Sequence, residues 1–222
     1  MQRLELGPGL IHIPGYFDPA EQTGLRVELD AVMREAPPFQ PRMPRTGAPF
    51  SIRMTNCGEL GWVSDERGYR YQPEHPETGR PWPEMPDLLR RAWRDLSGYR
   101  QPAEACLVNL YGEGARMGLH QDRDEADFDA PVVSLSLGDT AVFRVGGTRR
   151  GGPTRSLRLA SGDAFVFGGE ARLVFHGIDR VLTGSSTVLP GGGRINCTLR
   201  RVTAPASGAG WRHASAAFLA PP

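Results

Sequence analysis

Residues 194–202 read RINCTLRRV. In an extended chain, successive side chains point to opposite faces. One face of this stretch therefore carries Arg194, Asn196, Thr198 and Arg200, and the other Ile195, Cys197 and Leu199. The apolar set suits a core. The polar set alone would suit a solvent-facing strand of an antiparallel sheet, but other stretches repeat it. CLVNLY (106–111) places Asn109 and Tyr111 together, opposite Cys106, Val108 and Leu110. RLVFHGI (172–178) places Arg172, Val174 and His176 on one side, and His120 and Asp122 share a face if they are extended. A sheet with His, Asp, Arg, Asn and Tyr on its inner face is built around a site rather than a packed core.

Outward from this strand the period of two recurs. ACLVNLY, VVSLSLG, AVFRVGG, SLRLASGDAFVFGG and ARLVFHGI are short runs bounded by Gly, Asp and Pro, beginning near residue 104. With 28 glycines and 20 prolines among 222 residues, the chain reads as mainly β with flanking helices, in a sandwich, barrel or jelly roll. The spacing predicts a helix over 18–36, with Asp18 as cap, Pro19 in the first turn, Glu21 completing a capping box, and Leu25, Leu29, Val32 and Met33 on one face. A second helix is predicted over 87–97, where Leu88, Leu89, Ala92, Trp93 and Leu96 recur at helical spacing. Residues 37–86, rich in Pro, Gly, Arg and aromatics, read as loops and irregular hairpins. That is longer than a connection needs, which marks the segment for binding. The expected organisation is 1–103 as N-terminal helices and a recognition lid, 104–203 as the core, and 204–222 as a small-residue tail expected to be flexible, with Trp211 and Phe218 as its docking candidates.

Composition narrows the function classes. Cys57, Cys106 and Cys197 are odd in number, far apart in sequence and form no CxxC, which argues against a zinc knuckle or a disulfide scaffold and fits a reducing cytoplasm. The first residues, MQRLELGPGLIHIPGYF, lack the long apolar run of a signal peptide or membrane helix. A cytoplasmic location and no membrane partner are expected. The net charge of +1 says little about partners, but all 26 cations are arginine. GC-rich codon usage accounts for that bias, and the guanidinium fork still suits carboxylates and phosphates.

The segment LHQDRDEADFDAP (119–131) concentrates five carboxylates behind one histidine. It does not read as a calcium loop: counting from Asp122, the sixth position is Asp127 rather than Gly and the twelfth is Val133 rather than Glu. His120-x-Asp122, with His176 much later, has the form of a two-His, one-carboxylate triad on one face of an octahedral ion. Such a set leaves positions free for a co-substrate and O₂, unlike a closed structural zinc site. An arginine beside such an ion, as Arg194 or Arg200 would be, is a natural dock for a dicarboxylate.

Taken together, NLYGEGARMGLHQDRDE, PVVSLSLG, GDAFVFGGEARLVFHGI and RINCTLR, with MTNCGELGWVSDERGYRYQPEHPETGRPWPEMP upstream, resemble the AlkB family of Fe(II)- and 2-oxoglutarate-dependent dioxygenases, in its bacterial nucleic-acid-repair branch. The resemblance spans roughly residues 50–202. It implies a double-stranded β-helix (jelly-roll) core plus an N-terminal nucleotide-recognition segment. It implies Fe(II) held by His120, Asp122 and His176, O₂, and 2-oxoglutarate paired through Arg194, with Asn109, Tyr111 and Asn196 helping to hold it. Arg200 is expected near Asp122 and the reaction centre, as a cofactor-side and catalytic residue together with the triad. The implied reaction is oxidative demethylation of N1-methyladenine or N3-methylcytosine in DNA or RNA, releasing formaldehyde, succinate and CO₂.

A methyl on the pairing edge is unreachable inside a duplex, so the base is expected flipped or single-stranded. Trp62 and His120 are expected to sandwich it, Asp124 to face its exocyclic amine, and Glu125 to be solvated with Asp127 and Asp129. Residues 140–158 hold five arginines and no acid, so Arg149 and Arg150 are expected on phosphates, with Tyr69, Arg53 and Arg70 from the upstream segment. Two positions depart from the family pattern: Ile195 replaces a larger aromatic, and Leu110 replaces a basic residue. A monomer is expected. The competing readings are a 2-oxoglutarate dioxygenase acting on a protein or small molecule, and a catalytically silent jelly-roll binding module. The upstream segment counts against the first. The complete HxD…H and RxNxTxR sets count against the second.

Overall fold

Thirteen strands and two α-helices form the described residues, 2–204, of this computed structural model. Apart from Ala204, the expected tail, with Trp211 and Phe218, lies outside the described residues. In chain order the elements are β1 (Leu4–Gly7), β2 (Leu10–Ile13), α1 (Pro19–Glu35), β3 (Arg53–Gly58), β4 (Gly61–Asp65), β5 (Gly68–Gln72), α2 (Asp87–Ser97) and β6 (Ala105–Tyr111). They continue with β7 (Met117–His120), β8 (Val132–Gly138), β9 (Thr140–Val145), β10 (Arg155–Leu159), β11 (Ala164–Phe167), a 3-10 turn (Gly169–Ala171), β12 (His176–Leu182) and β13 (Arg194–Arg200).

The strands form a seven-stranded sheet in the order β1-β2-β11-β8-β13-β6-β3, a four-stranded sheet β10-β9-β12-β7, and the separate hairpin β4-β5. Every pairing is antiparallel. The two large sheets face each other as a jelly roll. Phe165 and Phe167 of the seven-stranded sheet meet Phe143, Val145 and Ile178 of the four-stranded sheet between the layers.

Both helices form where the spacing predicts them. Asp18 caps α1 by accepting from the Glu21 amide at 2.8 Å, and the Glu21 carboxylate accepts the Asp18 amide at 3.0 Å. A capping residue of this kind contributes about 1 kcal/mol. The helix α2 stops at Gly98, whose φ of 60° is left-handed. Leu25, Leu29, Leu89 and Trp93 bury their apolar stripe against Cys106, Val108, Ile195, Cys197 and Leu199 on the outer face of the seven-stranded sheet. Each fully buried leucine there contributes roughly 1.5–3 kcal/mol. The helices thus cover one face of β13, and its polar face is left to the interior.

Three expectations about the fold need correction. The segment 37–86 contains β3, which closes the edge of the main sheet beside β6, as well as the β4-β5 hairpin. Its polar residues hide the strand, because Thr55 and Asn56 are buried by satisfying backbone groups: Thr55 donates to Ala36 O, and Asn56 exchanges two hydrogen bonds with Trp62. The N-terminal residues form β1 and β2, which extend the sheet next to β11. Arg172 and Val174 do not share a strand with His176: β12 begins at His176, after the 3-10 turn.

Candidate active site

The strands β7 and β12 pair with His120 directly opposite His176, and the two ring centroids lie 4.6 Å apart. The close approach depends on Gly177, where a Cβ would lie 2.5 Å from the Met117 carbonyl oxygen. Asp122 follows two residues beyond the end of β7. Its Oδ1 is 3.5 Å from His120 Nε2 and its Oδ2 is 3.7 Å from His176 Nε2. One ligand atom from each of the three residues lies within 4.8 Å of the others.

Each imidazole anchors its other nitrogen on the backbone. His120 Nδ1 is 2.9 Å from Gly118 O, and His176 Nδ1 is 3.1 Å from Val174 O. A carbonyl only accepts, so Nδ1 carries the proton and Nε2 turns a lone pair inward, as a metal ligand requires. Burial drives His176 down to about 4, against the pull of Asp122, which keeps it neutral. Burial opposes ionisation of Asp122, but Arg200 above all outweighs it and holds the carboxyl well below the usual range. Burial opposes protonation of His120, but Asp122 outweighs it and raises that imidazole above its ordinary range. Two imidazoles and one carboxylate on one side of a cavity fit an octahedral Fe(II) with open positions.

Arg200 reaches two acids of the loop after β7. Its Nη2 is 2.9 Å from Asp122 Oδ1, its Nη1 is 2.7 Å from Glu125 Oε1, and Nη1 also donates to Tyr71 OH at 3.0 Å. Glu125 is therefore not solvated as expected. Its side chain is 0% exposed, and burial, which disfavours the carboxylate, is outweighed by Arg200 and Arg172, which hold the carboxyl below its usual range. Asp127 is also buried, because it accepts from Tyr99 OH at 2.6 Å and from the Asp129 and Ala130 amides. Asp129 is exposed, as expected.

The cluster opens into a cavity of about 840 Å³. Asn109, Tyr111, Arg194, Asn196 and Arg200 all line it. Arg194 is 1% exposed and donates to Asp139 O, Leu159 O and Ser136 Oγ at 3.2, 3.2 and 2.7 Å. Its Nε has no partner, and among the described residues no carboxylate lies within ion-pair distance. Burial lowers it to about 10, so it stays protonated. A buried cation on a cavity wall without its own anion fits an anionic ligand. Asn196 donates to Ser134 Oγ at 2.8 Å and Leu135 O at 3.0 Å. Tyr111 OH rests on Met117 Sδ at 3.8 Å, with its phenol raised by burial.

The β4-β5 hairpin forms the rim. Trp62 and Tyr69 stack with centroids 5.6 Å apart and planes at 16°. Trp62 Nε1 donates to Asp124 Oδ2 at 2.8 Å, tying the hairpin to the acidic loop. Arg150 lines the cavity with its guanidinium 5.0 Å from the Phe175 ring centroid, and Arg149 beside it is exposed. Arg53 donates to Pro38 O. Arg70 is held by Asp65 through two contacts of 2.8 and 2.9 Å, so it is not a free phosphate grip. Sequence reasoning missed Tyr71, the buried role of Arg172, and Ser134 and Ser136. The two serines were visible as alternate polar positions of VVSLSLG.

The sequence pattern of the 2OG-Fe(II) oxygenase superfamily matches residues 9–200. Over 198 residues the chain is 58% identical to the alpha-ketoglutarate-dependent dioxygenase AlkB homolog of Caulobacter vibrioides, covering 89% of this chain and 90% of that one. The chain belongs to the AlkB family. It is also 44% identical over 174 residues to the alpha-ketoglutarate-dependent dioxygenase AlkB of Escherichia coli K12, covering 76% of this chain and 78% of that one. The solved structure of OsALKBH1 superposes with a TM-score of 0.76 at 26% identity, covering 90% of this chain and all of the other. As an AlkB-family dioxygenase the chain works with Fe(II), 2-oxoglutarate and O₂. Its two departures from the family pattern fall away from the cavity: Ile195 and Leu110 pack with the helices on the outer face of the sheet.

Proposed function

We propose that this chain removes alkyl groups oxidatively from the pairing-edge nitrogens of nucleic-acid bases, with N1-methyladenine and N3-methylcytosine as its substrates. One observation carries the reading. A single cavity joins the His120–Asp122–His176 cluster and the unpaired Arg194 to a rim made of the stacked Trp62 and Tyr69 and the Asp124 carboxylate. Flat aromatic faces with a carboxylate beside them suit a flat, cationic methylated base.

In this reading His120, Asp122 and His176 hold the iron, and Arg194 takes the distal carboxylate of 2-oxoglutarate, supported by Asn109, Tyr111 and Asn196. Bound together, iron, 2-oxoglutarate and O₂ supply the oxidation that hydroxylates the N-alkyl carbon, with succinate and CO₂ as co-products. The hydroxymethyl base then loses formaldehyde, and the N–C bonding pair returns to the ring nitrogen. Arg200 keeps Asp122 ionised, Trp62 with His120 orients the base, and the apolar wall of Phe50, Ile52 and Met54 excludes water. Tyr69, Arg149 and Arg150 grip the backbone. The segment up to residue 103 supplies the recognition wall through its β4-β5 hairpin, and 104–203 the dioxygenase core, whose main sheet β1, β2 and β3 extend. In the same reading the enzyme acts as a monomer on single-stranded or flipped bases. No helix of the described residues is long and apolar enough to cross a membrane, in keeping with a cytoplasmic enzyme.

The test is mass spectrometry of N1-methyladenine and N3-methylcytosine oligonucleotides after incubation with Fe(II), 2-oxoglutarate and O₂. A loss of 14 mass units, about one CH₂, is expected on both. Neither substrate changing, while 2-oxoglutarate is consumed, would overturn the reading.

A further inference from the structure

The His120 and His176 side chains are positioned by paired strands, but Asp122 is not. It lies past the end of β7, in the irregular stretch before β8. A closed circuit of side chains takes the place of the ladder. Arg172, 4% exposed, donates from each of its three nitrogens to a fixed acceptor. Its Nε donates to Ala130 O at 2.8 Å, its Nη1 to the Asp122 main-chain oxygen at 2.7 Å, and its Nη2 to Glu125 Oε2 at 3.0 Å. The other oxygen of Glu125 accepts from Arg200 Nη1 at 2.7 Å, and Arg200 Nη2 sits 2.9 Å from Asp122 Oδ1. The circuit begins on the backbone of Asp122 and ends on its carboxylate.

Two guanidinium groups and two carboxylates balance within this buried ring, so each charge has its counter-charge on the spot. The planar fork of an arginine fixes directions as well as distances. Arg172 therefore sets where the Asp122 backbone lies, and Glu125 sets how Arg200 presents itself to the Asp122 carboxylate. Tyr71 OH, donating to Glu125, fastens the β4-β5 hairpin to the same ring.

We propose that Arg172 and Glu125 are positioning residues for Asp122, and that together they set the affinity of the centre for its metal ion. The inference rests on the reading of Asp122 as a metal ligand. Groups that hold a metal's ligands typically account for 10–100-fold in affinity. Removing Arg172 alone leaves the buried Glu125 short of a partner and endangers the fold. Replacing both residues with apolar ones of similar length removes the charge pair and spares the fold, yet leaves the Asp122 main chain without its donor and Arg200 without its Glu125 anchor.

The experiment is titration of Mn(II), which does not turn over, into the whole chain, followed by electron paramagnetic resonance and paired with thermal melting. The variants are Arg172→Lys, Arg172→Met, the double Arg172→Met/Glu125→Met, and Asp122→Ala as reference. In the double variant the melting temperature is expected to return toward wild type while Mn(II) affinity stays roughly 10–100-fold weaker. Arg172→Lys, which keeps the charge but fewer donors, is expected to fall between. Folded variants that bind Mn(II) within about twofold of wild type, below that range, would overturn the positioning role and leave Arg172 and Glu125 as fold supports. A wild-type chain without saturable Mn(II) binding, or with binding untouched by Asp122→Ala, would instead overturn the reading of Asp122 as a ligand.

Discussion

Replacing Arg194 with methionine separates co-substrate binding from folding. Burial lowers this guanidinium from its ordinary value to about 10, and no carboxylate of the described residues relieves it. At 1.36 kcal/mol per pH unit, the buried charge costs ~3 kcal/mol at neutral pH, where the group is fully protonated. A bound dicarboxylate supplies the missing anion and recovers a cost of that size. Its loss should weaken 2-oxoglutarate binding by roughly 150-fold. Folding feels opposite effects. The variant forfeits three hydrogen bonds, worth about 1 kcal/mol each, and is freed from a burial cost of about the same size. The melting temperature should stay within about 4 °C of wild type. Isothermal titration of 2-oxoglutarate into Mn(II)-loaded protein, with calorimetric melting, measures both quantities. Affinity within about threefold of wild type, far short of that estimate, combined with a large drop in melting temperature, would refute the reasoning and make Arg194 a fold residue.

The remaining predictions concern the metal cluster and the substrate rim. Trp62→Ala should weaken binding of a methylated oligonucleotide by roughly 5- to 150-fold, the equivalent of 1–3 kcal/mol for one stacked base. Turnover of 2-oxoglutarate without nucleic acid should stay near wild type, and fluorescence anisotropy with a succinate assay checks both. The double variant Arg149→Ala/Arg150→Ala should flatten the dependence of binding on salt, lowering the log–log slope for single strands by about 1.4 if each arginine meets one phosphate. Asp122→Ala should abolish turnover while circular dichroism shows the fold retained, since Arg200 keeps Glu125 as a partner at 2.7 Å.

The legible part of this protein was the part governed by local periodicity. Asp18 and Glu21 announce α1, the spacing of Leu89 and Trp93 announces α2, and RINCTLRRV announces a strand with one apolar and one functional face. The grouping of His120, Asp122 and His176 was legible as a spacing pattern, and the fold brings the three together: β7 and β12 set His120 beside His176, and Asp122 sits at a fixed offset. What escaped depends on contacts far apart in sequence. β3 is buried although Thr55 and Asn56 at its centre are polar, because Ala36 and Trp62 satisfy them. Glu125 reads as one more acid in an acidic loop until Arg172, Arg200 and Tyr71 converge on it from other elements. The pairing of Arg70 with Asp65 escaped as well, although the two are only five residues apart. A turn between β4 and β5 brings them together, and a list of arginines does not show which are already engaged.

The central claim is that one cavity couples 2-oxoglutarate oxidation to base dealkylation. The most direct measurement is a reaction under ¹⁸O₂ with an N1-methyladenine oligonucleotide, counting restored adenine, formaldehyde and labelled succinate. Equal amounts of the three are expected, with one labelled oxygen in each succinate, because the second oxygen atom leaves with the methyl carbon. Labelled succinate formed without restored base, or base restored without labelled succinate, would contradict it.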